Sequence, residues 1–298
     1  MSNILIAGLG DVGQQLVNEL ISANHQVWGI KRQMLPELNK RTGCHLILAD
    51  LVKPATLASL PLNIDYVVYC PSPDNRSEES YRQIFIQGLL NLCAGLNTSA
   101  IKRFFYISST GVYGQNQGEW VDELSETDPE KYSGKVLLEA ETILHQQSMP
   151  TTAIRFAGIY GPGRNQMLRQ LVQGNVQIQK TDVYTNRIHR NDAARMIHFL
   201  IEQNIKKRPV AQTYIGVDDR PCSKNEISTW LFHRLSKKFG DNSVKPLLYI
   251  KDNLGEVNKN KRCSNTKIKE EGFVFEFRDY EPGYLNILEQ IGDIESIS

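Results

Sequence analysis

The strongest indication of the fold class is the stretch Asn3-Ile-Leu-Ile-Ala-Gly8-Leu-Gly10-Asp-Val-Gly13. A short apolar run leads into three clustered glycines, and an amphipathic segment (residues 14–23) follows. This order predicts a strand, a tight turn and a helix. Gly8 would permit the turn, Gly10 would let backbone N–H groups approach a pyrophosphate, and Gly13 would let the helix pack against the strand. The pattern predicts a dinucleotide-binding unit, although glycines also serve ordinary turns.

The start of the helix completes the predicted phosphate-binding loop. The first N–H groups of a helix have no intrahelical partner, and the helix dipole adds partial positive charge there. We therefore assign cofactor phosphate binding to Gly8, Gly10, Asp11, Val12 and Gly13.

Composition bounds the class of protein. The 298 residues are 41% hydrophobic and 22% charged, which suits one large α/β domain with a smaller lobe. The formal net charge of +1 favours neither nucleic acid nor an anionic membrane. Apolar runs fall short of the roughly 18 to 20 residues needed to span a bilayer. We expect a small-molecule substrate, with no nucleic-acid or membrane partner.

The cysteines and histidines give no sign of disulfides or metal. The five cysteines are scattered without C-x-x-C spacing, and the six histidines lack metal-ligand spacing. The first residues run directly into a strand without a signal-like region. We expect a cytoplasmic protein without a metal.

Short apolar runs alternate with longer amphipathic stretches over residues 1 to about 157. The runs are residues 4–7, 26–30, 45–49, 66–70, 103–107 and 152–156. Continuous apolar strands separated by helices predict a parallel sheet covered on both faces. The right-handed crossover rule makes this a Rossmann-type, doubly wound α/β sheet. We predict a nucleotide-binding domain over 1–160 and a smaller C-terminal substrate lobe over 161–298, with segments near 183–200 returning to the first domain.

The end of the second predicted strand indicates which nucleotide binds. NAD-binding units usually carry an acidic residue there for the ribose 2′-hydroxyl, whereas this chain has Lys31 and Arg32. Cations would pair with a 2′-phosphate, so NADP is favoured and NAD remains possible. The alternative is an ordinary surface Lys-Arg pair.

Three more residues complete the predicted cofactor site. Asp50 and Leu51 follow the third apolar run, where Asp50 would accept a hydrogen bond from adenine or cap the next helix. Cys70 ends the fourth run beside the expected cofactor, and a packing role suits it better than a reactive thiol.

Later motifs resemble a known family. They are Ser108-Ser-Thr-Gly-Val-Tyr-Gly114, Arg155-Phe-Ala-Gly-Ile-Tyr-Gly-Pro-Gly163 and Asn186-Arg-Ile-His-Arg-Asn-Asp-Ala193. In this order they resemble the extended short-chain dehydrogenase/reductases, the NAD-dependent epimerase/dehydratase group. The resemblance covers nearly the whole chain and implies a nicotinamide cofactor beside a hydroxyl or carbonyl carbon of the substrate.

The resemblance also implies catalytic roles. Ser109, with Thr110, would polarise the substrate oxygen, unless these hydroxyls only satisfy the loop backbone. Lys135 matches the family lysine that supports an acid/base tyrosine and holds the nicotinamide ribose. A phenol, whose pKa is ordinarily about 10, is a useful base near neutral pH only beside fixed positive charge.

The tyrosine departs from the family spacing. Lys131 stands four residues before Lys135, and Tyr132 gives Tyr-x-x-Lys. Residues i and i+3 share a helix face, so Tyr132 and Lys135 would still meet. Compared with a tyrosine four residues before the lysine, Tyr132 is nevertheless turned by about 100° around the helix axis and shifted by about 1.5 Å along it. We predict Tyr132 as the acid/base, with Lys131 as a weaker candidate and an ordinary packed tyrosine as the alternative.

Three residues of the predicted lobe are substrate candidates. Arg164, Arg187 and His189 would meet an anionic substrate such as a sugar nucleotide, although a structural role is favoured for His189.

A second departure from the family pattern is Ala7, at a position where the family usually has glycine. In this respect the chain resembles the atypical branch of the family, which includes proteins without evident turnover.

Three functions follow from these patterns. The main hypothesis is an NAD(P)-dependent oxidoreductase or epimerase/dehydratase acting on a hydroxyl or carbonyl carbon. The alternative is a sensor or regulatory protein that binds NADP(H) without turnover. A β-hydroxyacid-type dehydrogenase would need an all-helical second domain, which the Pro/Gly-rich segments after residue 160 disfavour.

By analogy with the family, the helices expected over residues 77–96 and 133–147 would form the interface of a homodimer.

Overall fold

The computed structural model describes residues 1–178, 180–181, 183–249 and 260–297. Two compact units are distinguished by their internal contacts. The first unit comprises Met1–Gly114, Glu126–Phe156 and Ala193–Gly216. The second comprises Gln115–Ser125, Ala157–Asp192 and Val217–Ser298.

The strands are short. In chain order they are β1 (Asn3–Ala7), β2 (Gln26–Lys31), β3 (Cys44–Leu48), β4 (Tyr66–Tyr69), β5 (Arg103–Ser109), β6 (Glu119–Val121), β7 (Thr151–Phe156), β8 (Gly158–Tyr160), β9 (Gln177–Ile178), β10 (Tyr184–Thr185), β11 (Arg187–His189), β12 (Thr213–Gly216), β13 (Cys222–Ser223), β14 (Leu248–Tyr249) and β15 (Lys261–Cys263).

The helices cover a wider range of lengths. They are α1 (Asp11–Ser22), α2 (Pro36–Asn39), α3 (Glu78–Arg82), α4 (Gly88–Gly95), α5 (Tyr132–His145), α6 (Gln166–Val172), α7 (Arg190–Ile205), α8 (Lys224–Phe239), α9 (Thr266–Glu270) and α10 (Tyr280–Gln290). Within the described residues, every helix is too short or too polar to cross a lipid bilayer.

The first unit is built on a seven-stranded parallel sheet in the order β3-β2-β1-β4-β5-β7-β12. This confirms the predicted doubly wound α/β sheet. The order reverses between β1 and β4, whose last residues, Ala7 and Tyr69, lie side by side. Connections leave such a pair of strands in opposite directions, which opens a crevice at the carboxyl edge of the sheet.

Each of the six predicted apolar runs overlaps a strand of this sheet, but β12 was not predicted. Its sequence, Thr-Tyr-Ile-Gly, is short and not continuously apolar. It pairs with β7, so Ala193–Gly216 belongs to the first unit. Gln115–Ser125, by contrast, belongs to the second unit. The domain bounds drawn from the sequence, with segments near 183–200 returning to the first domain, stay a prediction.

The predicted helix over 77–96 is interrupted by a π-helical turn, Gln83–Gln87, between α3 and α4. The Tyr69 hydroxyl donates a hydrogen bond to the Ile84 carbonyl within this turn. A Cβ on Gly88 would lie 2.8 Å from the Tyr69 hydroxyl oxygen. The small residue thus lets the helical segment lie directly against β4. Single π-turns in helices frequently mark functional sites.

A buried ion pair joins α5 to the sheet. The Arg155 Nη2 lies 2.7 Å from Glu141 Oε2, and the two side chains are 8% and 2% exposed. The Ser108 hydroxyl donates to Glu141 Oε1 at 2.5 Å, and Arg155 Nη1 donates to the Tyr113 hydroxyl at 2.8 Å. Every charged group is thus hydrogen-bonded, as burial requires. The network connects α5, β5 and β7.

We expect Glu141→Gln to lower the free energy of unfolding by about 3–5 kcal/mol, because it leaves the Arg155 charge buried without a counter-ion. Glu139→Gln is the matched control. Glu139 lies on the same helix and pairs with Arg82 at 2.9 Å, but this pair is exposed and should contribute little. Urea unfolding followed by circular dichroism measures both. Equal losses in the two variants would contradict the assigned role.

Candidate functional site

A cavity of about 820 Å³ lies in the first unit at the carboxyl ends of its strands. It is lined by the glycine loop, the ends of β2 and β3, the segment after β4 and the π-helical turn. The predicted cofactor residues on its wall are Gly8, Gly10, Lys31, Arg32, Asp50, Leu51 and Cys70. The others lie outside that wall, Asp11, Val12 and Gly13 in the first turn of α1 and Lys135 on α5.

Glycine suits the three positions of the loop for different structural reasons. Gly8 has φ +109°, and a Cβ there would lie 2.6 Å from Pro71 N. A Cβ on Gly13 would overlap the Gly8 carbonyl. By contrast, a Cβ placed on Gly10 would have no atom of the described residues within 4 Å, its chain neighbours aside. Gly8 and Gly13 therefore allow close packing, while Gly10 leaves open space at the N-terminus of α1.

Cys70 supports the glycine loop. Its Sγ donates to the Gly8 carbonyl at 3.1 Å. Burial raises the pKa of the thiol to about 12. The thiol therefore stays protonated at neutral pH and serves as a hydrogen-bond donor between the end of β4 and the loop, which favours the packing interpretation.

The two cations at the end of β2 have different partners. Lys31 Nζ donates to the Leu9 carbonyl of the glycine loop at 2.9 Å. Arg32 is exposed and donates two hydrogen bonds to Asp74, at 2.5 and 2.7 Å. The hydrogen bond from Arg32 lowers the pKa of the Asp74 carboxyl. Sequence reasoning missed Asp74, whose only signal was its place just after the fourth strand.

Asp50 lies in a tight turn after β3 and does not cap the next helical turn, Pro54–Leu57, whose N-cap residue is Lys53. Its Oδ1 accepts a hydrogen bond from the Val52 N–H at 3.2 Å, and its own N–H donates to Thr56 Oγ1 at 3.0 Å. It therefore stabilises its own turn while lying on the cavity wall. Adenine binding by this residue stays a prediction.

The Ser109 loop lies against the first turns of α5. Ser109 Oγ accepts the Gly111 N–H at 3.0 Å, and Thr110 is 8% exposed. A Cβ on Gly134 would overlap the Gly111 carbonyl. Gly134 stands between Tyr132 and Lys135, so it brings their helix against the loop. A glycine inside a predicted helix was the available signal for this contact.

Tyr132 is the first residue of α5. Its hydroxyl donates to the Arg76 carbonyl at 2.5 Å, and its ring packs edge to face on Tyr81 with centroids 5.5 Å apart. Lys135 follows one turn later with an exposed side chain. The tyrosine hydrogen is thus held by the segment after β4 in this conformation.

Two of the three substrate candidates are buried within the second unit. Arg187 is 8% exposed and donates to Cys222 Sγ at 2.6 Å and to Thr185 Oγ1 at 2.7 Å. Arg164, in contrast, is exposed, and its Nη1 lies 3.4 Å from the Ile159 carbonyl oxygen. Of these three candidates, Arg164 is the one with an exposed side chain.

His189 is fully buried between two aromatic rings. Its ring centroid lies 5.3 Å from that of Tyr160 and 3.8 Å from that of Phe277. Burial, with the nearby Arg190 charge, lowers the pKa of His189 to about 4. The ring is therefore neutral at pH 7, which suits the structural role favoured for it.

The polar residues on either side of His189 hold the second unit together. Asp192 accepts the Glu276 and Phe277 N–H groups at 2.9 and 2.8 Å. The Asn186 side chain bonds to the backbone of β15 at both its amide oxygen and its nitrogen. This motif thus fixes the backbone of distant segments.

The profile of the NAD dependent epimerase/dehydratase family matches residues 4–214. The chain belongs to this family. The resemblance drawn from the motifs is therefore confirmed, and the family motifs lie on the elements described above.

The chain is similar to known proteins over part of their length. Protein YeeZ of Escherichia coli K12 is 32% identical over 173 residues, which cover 55% of this chain and 61% of YeeZ. The 2-alkyl-3-oxoalkanoate reductase of Stenotrophomonas maltophilia is 26% identical over 216 residues, which cover 67% of this chain and 64% of the reductase. The chain thus spans less than two thirds of these relatives.

Solved structures match over a greater length. A Methylobacillus flagellatus protein proposed to be an NAD-dependent epimerase/dehydratase is 34% identical, with a TM-score of 0.79 and coverage of 97% of this chain and 98% of that chain. The UDP-glucose 4-epimerase of Thermus thermophilus, solved with NAD, is 14% identical with a TM-score of 0.76, over 97% and 99% of the two chains. At that identity the likeness concerns the fold alone.

We expect Gly13→Ala and Gly10→Ala to differ in stability. The Gly13 methyl would overlap a backbone carbonyl and should cost about 1–3 kcal/mol. The Gly10 methyl would project into open space, so only the weaker preference for alanine at a helix N-cap opposes it. Thermal unfolding measures the difference. A Gly10 variant as destabilised as the Gly13 variant would contradict the loop geometry.

Proposed function

We propose that this family member is an NADP-dependent oxidoreductase or epimerase/dehydratase that acts at a hydroxyl or carbonyl carbon. A sugar or nucleotide sugar is the expected substrate class. The observation that carries the proposal is the cavity at the reversal of strand order, which has an open glycine position and, on its wall, the cations Lys31 and Arg32 at the end of β2. Family membership supports the reaction class.

The residues of the cavity fit a dinucleotide. The space beside Gly10 is open, and the N-terminus of α1 offers N–H donors and partial positive charge to a pyrophosphate. Asp50 would bind the adenosine end, while Lys31 and Arg32 would hold a 2′-phosphate. When bound, the nicotinamide supplies hydride transfer to or from the substrate carbon.

Nucleotide preference depends on a competition for Arg32. The Arg32 guanidinium makes a bidentate contact with the Asp74 carboxylate. A 2′-phosphate would offer the same type of charge-assisted contact. Binding NADP would transfer Arg32 from carboxylate to phosphate. The Asp74 charge would oppose that transfer, whereas Lys31, held at the Leu9 carbonyl, would favour it through its charge.

Ser109, with Thr110 beside it, would bind the reacting oxygen of the substrate. The Ser109 oxygen already accepts the Gly111 N–H, which fixes its rotamer and leaves its hydrogen as a donor. A donor to the substrate oxygen stabilises negative charge that develops there during reduction. Thr110 is buried beside it and would support the loop.

Tyr132 would exchange the proton. Its hydroxyl must leave the Arg76 carbonyl and turn to the substrate oxygen, a change that substrate binding would favour because catalytic hydrogen bonds often form only in the complex. Lys135 shares its helix face and adds positive charge. The spacing Tyr-x-x-Lys therefore remains compatible with acid/base chemistry.

We expect Arg32→Ala to weaken NADPH binding about 10-fold or more while leaving NADH binding nearly unchanged, because it removes a charge-assisted contact to phosphate. Asp74→Asn should strengthen NADPH binding. Isothermal titration with both nucleotides measures these effects. Arg41→Ala, an exposed arginine outside the cavity wall, is the control. Equal weakening of NADPH and NADH by Arg32→Ala would refute the NADP preference.

We expect Tyr132→Phe and Ser109→Ala each to lower kcat about 100-fold or more while NADPH affinity is kept, because general acid/base and oxygen-binding groups act on the reaction step. Tyr81→Phe, whose ring packs on Tyr132, is the matched control. Turnover is followed through NADPH absorbance on carbonyl compounds and through conversion of UDP-hexoses.

The outcomes separate the two candidate functions. Wild-type turnover that survives both substitutions would refute the catalytic assignment. Reversible NADPH binding without conversion of any compound in the panel would instead favour the sensor, a function consistent with a Tyr132 hydroxyl held by the Arg76 carbonyl.

A further inference from the structure

A second cluster of chemically capable side chains lies in the first unit. His25 precedes β2, while His198 and Glu202 are one turn apart on α7. One nitrogen of each histidine and one carboxylate oxygen lie within 4.8 Å of one another. Since His25 stands at the amino end of its strand, the cluster is at the opposite edge of the sheet from the nucleotide cavity.

The distances suit one metal ion. His25 Nε2 and Glu202 Oε1 are 2.9 Å apart. Ligand atoms around tetrahedral zinc, with bonds of roughly 2.1 Å, lie about 3.4 Å from each other. Side-chain adjustments of about an ångström or less would therefore seat the ion. Two imidazoles and one carboxylate form a ligand set that zinc takes in proteins.

The hydrogen bonds of His198 leave part of its ring unsatisfied. Its Nε2 is buried and has no hydrogen-bond partner within the described part of the chain. Buried polar atoms usually have a partner. Its Nδ1 lies 3.9 Å from Glu19 Oε2, about an ångström beyond hydrogen-bond distance. A carboxylate beside the second nitrogen is typical of histidines that bind metals.

We propose that His25, His198 and Glu202 bind a zinc ion, with water as the fourth ligand and Glu19 as the outer partner of His198. The bound ion would connect the turn before β2 to α7. This site is independent of the nucleotide chemistry proposed above, because none of its residues lies on the cavity wall.

Zinc binding requires a proton shift in His25. The Ser2 N–H now donates to His25 Nδ1 at 3.2 Å, so the neutral ring carries its proton on Nε2, towards Glu202. Zinc takes Nε2, the proton moves to Nδ1, and the Ser2 contact is given up. Lys206, 3.5 Å from Glu202 Oε2 and mostly exposed, would turn away from the ion.

The test is zinc titration of the full chain after chelator treatment, in competition with a chromophoric chelator. We expect one zinc per chain. His198→Ala and Glu202→Gln should each weaken binding at least about tenfold, as the loss of a ligand requires. His233→Ala, which removes an exposed histidine of α8 in the second unit, should bind as the wild type does.

Two further measurements exclude binding by cysteines and provide a second variant in case the first does not fold. Cobalt(II) should give visible bands without thiolate charge transfer, which separates this site from the five cysteines. Lys206→Ala should strengthen zinc binding, since it removes a competing cation, and it serves if His198→Ala does not fold. The proposal is overturned by absence of zinc binding, by thiolate bands, by equal weakening in His233→Ala, or by unchanged affinity in both Glu202→Gln and Lys206→Ala.

Discussion

The close approach of the Gly8 backbone to the Cys70–Pro71 peptide is the constraint on which the nucleotide cavity depends. Two neighbouring strands end there, and the chain leaves them in opposite directions. Gly8 permits the approach because it lacks a side chain and adopts φ +109°, and Gly13 lets α1 follow it closely. The Cys70 thiol then bonds the loop to the end of β4. Bulk at either glycine would therefore disturb the whole edge of the sheet.

The candidate catalytic residues depend on a second constraint, the attachment of α5. Glu141 and Arg155 are stable in the interior only as a pair, and the pair joins the helix to two strands. Gly134 brings the first turns of the same helix against the Ser109 loop. A charged network and a backbone contact thus act together on one helix. Its orientation decides whether Tyr132 can reach a substrate.

Much of the first unit was predictable from local pattern. Continuous apolar runs marked six strands of the sheet, and the glycine spacing marked the turn after β1. The strand β12 was missed because its four residues carry little hydrophobic signal, and it becomes a strand by pairing with β7. The π-helical turn was missed for a related reason. The hydroxyl that donates to its Ile84 carbonyl belongs to Tyr69, which lies on a separate strand.

The doubly wound sheet, the glycine loop and the family could be predicted from the sequence, because each is marked by residues that lie near one another in the chain. The partners of the charged and polar residues became evident only in the folded chain. Arg32 meets Asp74, Arg187 is buried on Cys222, and His25 meets Glu202 across 177 positions of sequence. Such pairs follow from packing of distant segments, and local periodicity carries no information about them. That physical reason explains why the fold was evident before the chemistry of its side chains.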